Sequence, residues 1–287
     1  MTIKHFLKNN SRLLTSLMKS IFAKKIPVYI PVISGDYLKG RCALISGGSS
    51  GIGYEIAKLF LQNQCDVVIT GSNQKRIDEA IRKIKQESNC CNIDGAVIDI
   101  YDAKNISAAF NRIVQNHRID ILVNSAGVIA LSSFERTDID EFEKVLKVNI
   151  EGTYFLSECV FNYMKNHNIK GNILNISSTS STRPATNAYS ISKAAMNSFT
   201  RGLAKKGIDC GIVVNAIAPG PTMTKMLSKD SEDDVASSQY PLNRYILPAE
   251  IANLALFLVA DTGRMIIGDT VFLSGGISTT TIDDIEY

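Results

Sequence analysis

The sequence RCALISGGSSGIG, residues 41–53, contains the pattern that decides the fold. It begins with a short apolar run typical of a buried strand, and it continues with Gly47, Gly51 and Gly53 before a helical pattern starts. Glycines let a backbone turn sharply and approach a pyrophosphate, and a helix N-terminus offers free N–H groups. Glycines also serve ordinary tight turns. The position of this loop between the first strand and the first helix favours dinucleotide binding.

Apolar strands and amphipathic helices alternate after this loop. We predict strands at residues 67–69, 96–98, 121–123, 172–176, 212–216 and 270–273, and helices at residues 106–114, 142–164, 189–205 and 251–260. Such alternation indicates a parallel sheet that is covered by helices on both faces. We therefore predict a three-layer, doubly wound α/β domain of the Rossmann type over residues 38–277. An N-terminal extension (1–37) precedes it and a short tail (278–287) follows it.

The composition is that of an ordinary globular protein. The chain has 287 residues, of which 45% are hydrophobic and 21% are charged, so one large domain can bury a sizeable core. No apolar run approaches the roughly 18 residues that a membrane span needs. The six cysteines and three histidines are scattered. We therefore expect no metal site, and we expect free thiols in a reducing cytoplasm.

The net charge of +3 is unevenly distributed along the chain. The first 40 residues carry seven basic side chains and one acidic side chain, and the rest of the chain is slightly acidic. An acidic body argues against a nucleic-acid-binding surface.

The N-terminal extension has a pattern of its own. Apolar positions in residues 3–22 follow helical spacing, with basic residues mostly between them. Pro27 and Pro31 then predict an extended segment. Three interpretations of the extension stay open: it packs on its own body or on a sister subunit, it lies on an anionic membrane surface through residues 1–25, or it directs the chain to mitochondria.

The end of the second strand bears on the choice between NAD and NADP. An acidic residue at this point would bind the ribose 2′-hydroxyl and repel a 2′-phosphate. The chain instead has Ser72 and Asn73, followed by Lys75 and Arg76. Small polar side chains with cations nearby favour NADP(H) over NAD(H). The alternative is that Lys75 and Arg76 are solvated residues of a helix surface.

A tyrosine and a lysine are spaced for proton transfer. Tyr189 and Lys193 stand four apart at the start of a predicted helix, so both side chains share one face. A tyrosine hydroxyl has an ordinary pKa of about 10, and a nearby ammonium favours its phenolate form. The pair therefore suits alcohol–carbonyl interconversion. Ser177 and Ser178 follow the strand at residues 172–176, where they either contact a ligand or cap the next turn.

The body resembles the short-chain dehydrogenase/reductase family over about residues 38–277. The resemblance depends on motifs that occur in order: SGGSSGIG at 46–53, Asp99 after two apolar residues, NSAG at 124–127, Asn149, NISS at 175–178, YSISK at 189–193, and Pro219-Gly220 followed by Thr224. Together, in this order and on these elements, they are specific to the family.

The resemblance implies catalytic roles for four residues. Tyr189 would be the general acid that protonates a carbonyl oxygen, and Lys193 would lower the pKa of Tyr189 and bind the nicotinamide ribose. Ser178 would hydrogen-bond the substrate oxygen. Asn149 would hold a water molecule that links Lys193 to solvent.

The resemblance, read with the loop and the strand ends, also implies a set of cofactor-binding residues. They are Ser46, Gly47, Ser49, Ser50, Gly51, Ile52, Gly53, Ser72, Asn73, Asp99, Ile100, Asn124, Ala126, Gly127, Tyr189, Lys193, Pro219, Gly220, Thr222 and Thr224.

The chain departs from the family pattern near the substrate. The segment from Ser178 to Tyr189 is shorter than is usual, so Ser177 and Ser180 also remain candidates for the substrate-binding serine. The resemblance implies that specificity resides in residues 223–240, which either form a mobile lid or are an ordinary solvated loop. Arg183 either contacts an anionic group of the substrate or is an ordinary surface cation.

These observations predict an NAD(P)-dependent oxidoreductase that acts on a small-molecule carbonyl or alcohol, with an NADPH-dependent ketone or 3-oxoacyl reductase favoured. The alternatives are an epimerase or dehydratase on the same scaffold and a non-catalytic dinucleotide-binding protein. We expect a cytoplasmic homodimer or homotetramer. The resemblance implies that the subunits meet through the helices that carry Asn149 and Tyr189, and the small or smooth side chains of Ala194, Ala195 and Met196 are consistent with this.

Overall fold

The structure is a computed structural model, and it describes residues 30–31, 33–88, 92–129, 134–224, 226 and 235–277. The predicted amphipathic N-terminal helix and the C-terminal tail lie outside the described residues. So does the central part of the expected lid.

A parallel sheet organises the described residues. Its strands are β1 (Cys42–Ser46), β2 (Asp66–Gly71), β3 (Ile93–Val97), β4 (Ile121–Asn124), β5 (Asn172–Ile176), β6 (Val213–Pro219) and β7 (Thr270–Leu273). The helices are α1 (Gly51–Gln62), α2 (Gln74–Ser88), α3 (Ala103–Ile113), α4 (Ile139–Leu146), α5 (Thr153–Asn166), α6 (Ala188–Gly207) and α7 (Pro248–Val259). The strand order is β3-β2-β1-β4-β5-β6-β7, and each adjacent pair is parallel. The predicted doubly wound α/β fold is confirmed.

Two apolar layers hold helices against the two faces of the sheet. Successive side chains of a strand point to opposite faces. In β1, Ala43 and Ile45 therefore pack with α1 and α7, where Phe60 is fully buried. Leu44 faces the other way and packs with α3 and α5, against residues such as Phe110. Both faces of the sheet are covered, which explains why its central strands are continuously apolar.

One predicted helix is interrupted. The sequence predicts a single helix over residues 142–164, but a π-helical turn at Lys147–Gly152 separates α4 from α5. Gly152 lies against the carbonyl oxygen of Ile100 with no room for a Cβ atom. A π-turn inserts one extra residue without breaking the helix, and such turns are frequent at functional sites. Hydrophobic periodicity does not reveal an insertion of this kind.

The described end of the N-terminal extension packs on the body of the protein. The Asn63 side-chain amide donates to the Ile33 carbonyl oxygen at 2.8 Å, and Asn253 donates to the Pro31 carbonyl oxygen at 3.3 Å. Ile33 also packs against the core between α1 and α7. These residues thus follow the first of the three interpretations, namely packing on the chain's own body.

Two further expectations concern surfaces. Met196, expected on a face for subunit contact, is only 2% exposed and packs inside its own subunit. This part of the expectation is wrong, because a side chain buried within its own subunit cannot contact a second one. None of the helices in the described ranges combines the length and the apolar character that crossing a bilayer requires.

Candidate active site

The carboxyl ends of the strands open onto two adjoining cavities. The first has a volume of about 460 Å³ and lies beside the glycine-rich loop that follows β1. The second has a volume of about 340 Å³ and lies beside the residues that follow β5 and β6. Ile52 and Thr224 line both cavities. The strand order reverses between β1 and β4, and open α/β sheets bind ligands at such a point.

The glycine-rich loop presents bare backbone to the first cavity. Gly47 has a φ of +68°, and a Cβ atom on it would lie 2.8 Å from the backbone nitrogen of Ala126. A Cβ atom on Gly53 would lie 2.5 Å from the carbonyl oxygen of Gly47. Ser50, the N-cap residue of α1, makes no side-chain hydrogen bond to the helix. The loop and the N-terminus of α1 therefore fit the diphosphate of a dinucleotide.

Most of the predicted cofactor-binding residues line one of the two cavities. They are Gly47, Ser49, Ser50, Gly51, Ile52, Ser72, Asn73, Asp99, Ile100, Ala126, Gly127, Tyr189, Lys193, Pro219, Gly220, Thr222 and Thr224. Ser46, Gly53 and Asn124 line neither cavity. Ser46 instead accepts a hydrogen bond from the Ala126 backbone nitrogen at 3.3 Å and so supports the wall of the first cavity.

Among the predicted cofactor-binding residues, Asn124 has the side chain that lies furthest from its expected role. Its side chain is 3% exposed and donates to Ser157 Oγ at 2.9 Å and to Asn175 Oδ1 at 2.8 Å. Asn175 continues this buried network by donating to Thr200 Oγ1 at 2.9 Å. The expected cofactor contact is therefore corrected for this side chain, which joins β4 and β5 to the helices behind them.

The far end of the first cavity contains the residues considered for the ribose phosphate. Ser72, Asn73 and Arg76 line it, whereas Lys75 does not. The Arg76 backbone nitrogen donates to Asn73 Oδ1 at 3.1 Å, which fixes the first turn of α2. Of the two neighbouring cations, only Arg76 is placed to face a bound phosphate.

The first turn of α6 positions Tyr189. Asn187 is the N-cap residue of this helix and accepts a hydrogen bond from the Ser190 backbone nitrogen at 2.9 Å. Lys193 follows one turn later, and its Nζ lies 5.7 Å from the centroid of the Tyr189 ring. Lys193 Nζ also donates to the Ile176 carbonyl oxygen at 2.7 Å. Helix α6 and the end of β5 thus hold a phenol and an amine side by side.

Burial changes the acidity of both groups. It lowers the pKa of Lys193 to about 8. It also raises the pKa of Tyr189 above its ordinary value, and the hydrogen bond with Ser178 acts in the opposite direction. The direction for Tyr189 differs from the expectation that Lys193 lowers this pKa, because loss of water around the phenolate outweighs other effects. Tyr189 therefore keeps its proton through the neutral range.

The structure separates the three candidate serines. Ser177 Oγ donates to Asn197 Oδ1 at 2.6 Å and is 3% exposed, so it is committed to contacts with α6. Ser178 lines the second cavity with Tyr189 and acts to lower the pKa of that tyrosine, and its Oγ accepts from the Ser180 backbone nitrogen at 3.1 Å. Ser180 lines the second cavity, but its side chain makes no hydrogen bond among the described residues. Ser178 is therefore the serine that shares a site with Tyr189.

Asn149 lies in the π-helical turn and is fully buried. Its side-chain amide nitrogen donates to the Val128 carbonyl oxygen and to Ser192 Oγ, each at 3.0 Å. Its oxygen accepts from the Val128 backbone nitrogen at 2.9 Å. Ser192 in turn donates to the Tyr189 carbonyl oxygen at 2.7 Å. The Asn149 side chain therefore positions α6 against the loop after β4, and its oxygen, which can accept two hydrogen bonds, accepts one from the described residues.

The segment after β6 closes the second cavity. Thr222 Oγ1 donates to the Gly220 carbonyl oxygen at 2.8 Å, and Thr222 forms a parallel bridge with Ile246. Tyr240 also lines this cavity, and its ring stands edge-on to Tyr245 at a centroid distance of 5.1 Å. Sequence reasoning missed Tyr240 as a single residue, although it fell inside the expected lid.

Lys144 was also missed. It projects from α4 and lines the first cavity. An exposed lysine on an amphipathic helix carries no signal that could have identified it.

Comparisons with known proteins agree with this geometry. Residues 47–278 match the family model described as Enoyl-(Acyl carrier protein) reductase. The chain is 33% identical over 244 residues to the 3alpha-hydroxysteroid dehydrogenase of Mediterraneibacter gnavus, and the match covers 83% of this chain and 97% of that protein.

Solved structures with bound nucleotides are also similar. A 3-oxoacyl-[acyl-carrier protein] reductase from Brucella melitensis with bound NAD has a TM-score of 0.78 and 25% identity, with coverage of 90% of this chain and 99% of that chain. ElxO with NADP bound has a TM-score of 0.76 and 30% identity, with coverage of 84% and 99%.

Proposed function

Because the chain belongs to the short-chain dehydrogenase/reductase family of oxidoreductases, which act on CH–OH and carbonyl groups with NAD(P), we propose that it is an NADPH-dependent reductase of a ketone or 3-oxoacyl substrate. The observation that supports this most is the shared position of Ser178, Tyr189 and Lys193 in the lining of the second cavity, with the Lys193 amine beside the tyrosine ring.

In the proposed reaction the Tyr189 hydroxyl donates its proton to the carbonyl oxygen of the substrate. The raised pKa suits this role, because the proton stays on Tyr189 until an oxygen with developing negative charge accepts it. Ser178 donates a hydrogen bond to the same oxygen and stabilises its charge. Lys193, with a pKa of about 8, is still largely protonated at neutral pH and stabilises the phenolate that the transfer leaves behind.

The cofactor would lie along the first cavity. The backbone of the loop at Gly47 and the N-terminus of α1 would hold the diphosphate, and Asp99 would face the adenine. Lys193 and Thr224, at the boundary with the second cavity, would hold the nicotinamide end. When bound, the nicotinamide supplies the hydride that reduces the carbonyl carbon.

The preference for NADP(H) is part of this proposal. Ser72 and Asn73 leave the end of β2 without a carboxylate, and Arg76 lines the cavity beside them. An arginine can bind a ribose phosphate through paired N–H groups. The similar structures contain either NAD or NADP, so the preference depends on these residues alone.

We also propose that the protein assembles as a homo-oligomer. Tyr154 and Phe155 of α5 are 46% and 40% exposed. Tyr154 packs on Phe199 of α6 at a ring-centroid distance of 5.2 Å. Exposed aromatic side chains that are contiguous on two helices are typical of a protein–protein contact.

The expected cytoplasmic location is retained as a proposal. Cys42, Cys65, Cys159 and Cys210 are free thiols. Free thiols persist in reducing compartments.

Two binding titrations and one activity assay test the proposal. NADPH and NADH are titrated into the protein while nicotinamide fluorescence is followed, with Ser72→Asp and Ser72→Asn as a matched pair. We expect tight NADPH binding that Ser72→Asp abolishes and Ser72→Asn preserves, because only Asp repels a phosphate.

NADPH oxidation is then followed with 3-oxoacyl thioesters, steroid ketones and sugars. Reduction of at least one of these ketones is expected. A protein that binds neither nucleotide, or that binds NADPH but reduces none of the ketones, would overturn the proposed function.

A further inference from the structure

Arg183 lines the second cavity together with Ser178 and Tyr189. The sequence left open whether this side chain faces a ligand or solvent. Its presence in the cavity wall places an exposed arginine in the same cavity as the two hydroxyls that would bind the substrate carbonyl. The groups that line the cavity around this arginine determine which kind of substrate it can bind.

The described lining of the second cavity is apolar, hydroxylic and cationic. Hydroxyl groups come from residues such as Thr179 and Tyr240, and apolar groups come from residues such as Ile129. Its cations are Arg183 and Lys193, and no acidic side chain of the described residues lines it. Lys193 is already bound to the Ile176 carbonyl oxygen. Arg183 forms no ion pair or side-chain hydrogen bond with the part of the chain that the structure describes.

The backbone that leads into Arg183 is fixed relative to the catalytic hydroxyls. A 3₁₀ turn at Thr179–Thr182 separates Arg183 from Ser178, which caps the turn by accepting from the Ser180 backbone nitrogen. The Asn197 side chain of α6 donates to Ser181 Oγ at 2.8 Å and anchors the turn to the helix that carries Tyr189. Arg183 is exposed, so its side chain can reach a ligand from an anchored backbone.

We propose that Arg183 selects substrates that carry an anionic group, a carboxylate or a phosphate, a few bonds from the ketone. The inference rests on the proposed reductase function. An arginine next to a carbonyl site, with no carboxylate partner in the described part of the chain, binds such an anion through two parallel N–H donors. The anion has two sources: the carboxylate of an oxo acid, or the phosphate ester of a hydroxy ketone.

Two pairs of substrates, in which one member carries the anionic group and the other does not, test this inference. The first pair is 3-oxobutanoate and its methyl ester, and the second is hydroxyacetone phosphate and hydroxyacetone. The ratio of kcat/KM for the charged member to that for the neutral member is measured in wild type, Arg183→Gln and Arg183→Lys. Arg82→Gln is the matched control, since Arg82 is exposed on α2 and lines neither cavity.

We expect wild type to prefer the charged member of one pair, which identifies the source of the anion. Arg183→Gln should lower that ratio by roughly tenfold through KM, Arg183→Lys should lower it less, and Arg82→Gln should leave it unchanged. A ratio near one in wild type, or a ratio that Arg183→Gln leaves unchanged while neutral ketones are still reduced, would overturn this inference alone. Failure of wild type to reduce any of the four compounds would overturn this inference and count against the proposed function as well.

Discussion

The cavity beside the glycine-rich loop and the cavity beside Ser178 share part of their lining, yet they are built differently. The first is shaped largely by backbone, because Gly47 and Gly53 have no room for a Cβ atom. The second is lined by side chains that carry hydroxyls and by a guanidinium with no partner among the described residues, including Tyr189 and Arg183. Shape set by backbone accepts one kind of ligand across a whole family, whereas side chains can change with the substrate. We therefore expect cofactor binding and substrate choice to be separable in this molecule.

The largest effect on activity should come from a substitution in the second cavity, which is lined by side chains. Tyr189→Phe removes the proton donor, so we expect kcat for ketone reduction to fall by about 10²–10⁴-fold. Steady-state NADPH oxidation measures it. Tyr163→Phe is the control, because Tyr163 packs on Phe110 away from both cavities and should keep full activity. Retention of wild-type kcat by Tyr189→Phe would rule out the proton-transfer role.

Ser177 and Ser178 allow a sharper test of which side chain in the second cavity binds the substrate oxygen. Ser178→Ala should lower kcat/KM by about 10²-fold, because a donor to the developing oxyanion is lost. Ser177→Ala should leave kcat/KM nearly unchanged but should lower the free energy of unfolding by about 1 kcal/mol, because Asn197 Oδ1 loses its donor. Kinetics and denaturant unfolding of both variants measure the two effects. The opposite pattern would show that Ser177 is the substrate-binding serine.

The pH dependence tests the buried amine. Burial lowers the pKa of Lys193 to about 8, so its charge is lost as pH rises through that value. We expect kcat/KM for NADPH, which reports groups of the free enzyme, to fall by about tenfold per pH unit above this point. Lys193→Arg should move this decline to higher pH, since arginine stays charged. A wild-type profile that is flat through pH 9 would contradict the assignment.

A smaller effect is expected at the ribose end of the first cavity. Arg76→Gln should weaken NADPH binding by roughly fivefold to tenfold and leave NADH binding unchanged, because this partly exposed cation would contact only the extra phosphate. Lys75→Gln is the matched control, since Lys75 does not line the cavity. Equal losses for NADPH and NADH would show that Arg76 does not distinguish them.

The sequence predicted the strands and helices of the fold better than it predicted irregularities such as the start of an edge strand or a π-helical turn. Strand β7 begins and ends where the apolar run at residues 270–273 does. Strand β3 begins at Ile93 rather than Ala96, because Asp94 and Gly95 do not look like strand residues although they occupy an edge position. The π-helical turn at Lys147–Gly152 was missed because its extra residue leaves the apolar spacing almost unchanged.

The candidate site shows the same limits. The spacing of Tyr189 and Lys193 was sufficient to predict a shared helix face. The direction of the Tyr189 pKa shift was not predictable, since it depends on burial that sequence spacing does not report. The interior position of the Asn124 side chain was also missed, because a polar residue at a strand end fits either a ligand or a buried network.

The separation of cofactor binding from substrate chemistry is tested most directly by titrating NADPH into three variants side by side. Gly47→Ala places a Cβ atom against the Ala126 backbone and should weaken binding by about tenfold or more, while Gly202→Ala, which has open space, should not. Tyr189→Phe should bind NADPH within about twofold of wild type. Normal binding by Gly47→Ala, or lost binding by Tyr189→Phe, would contradict the account.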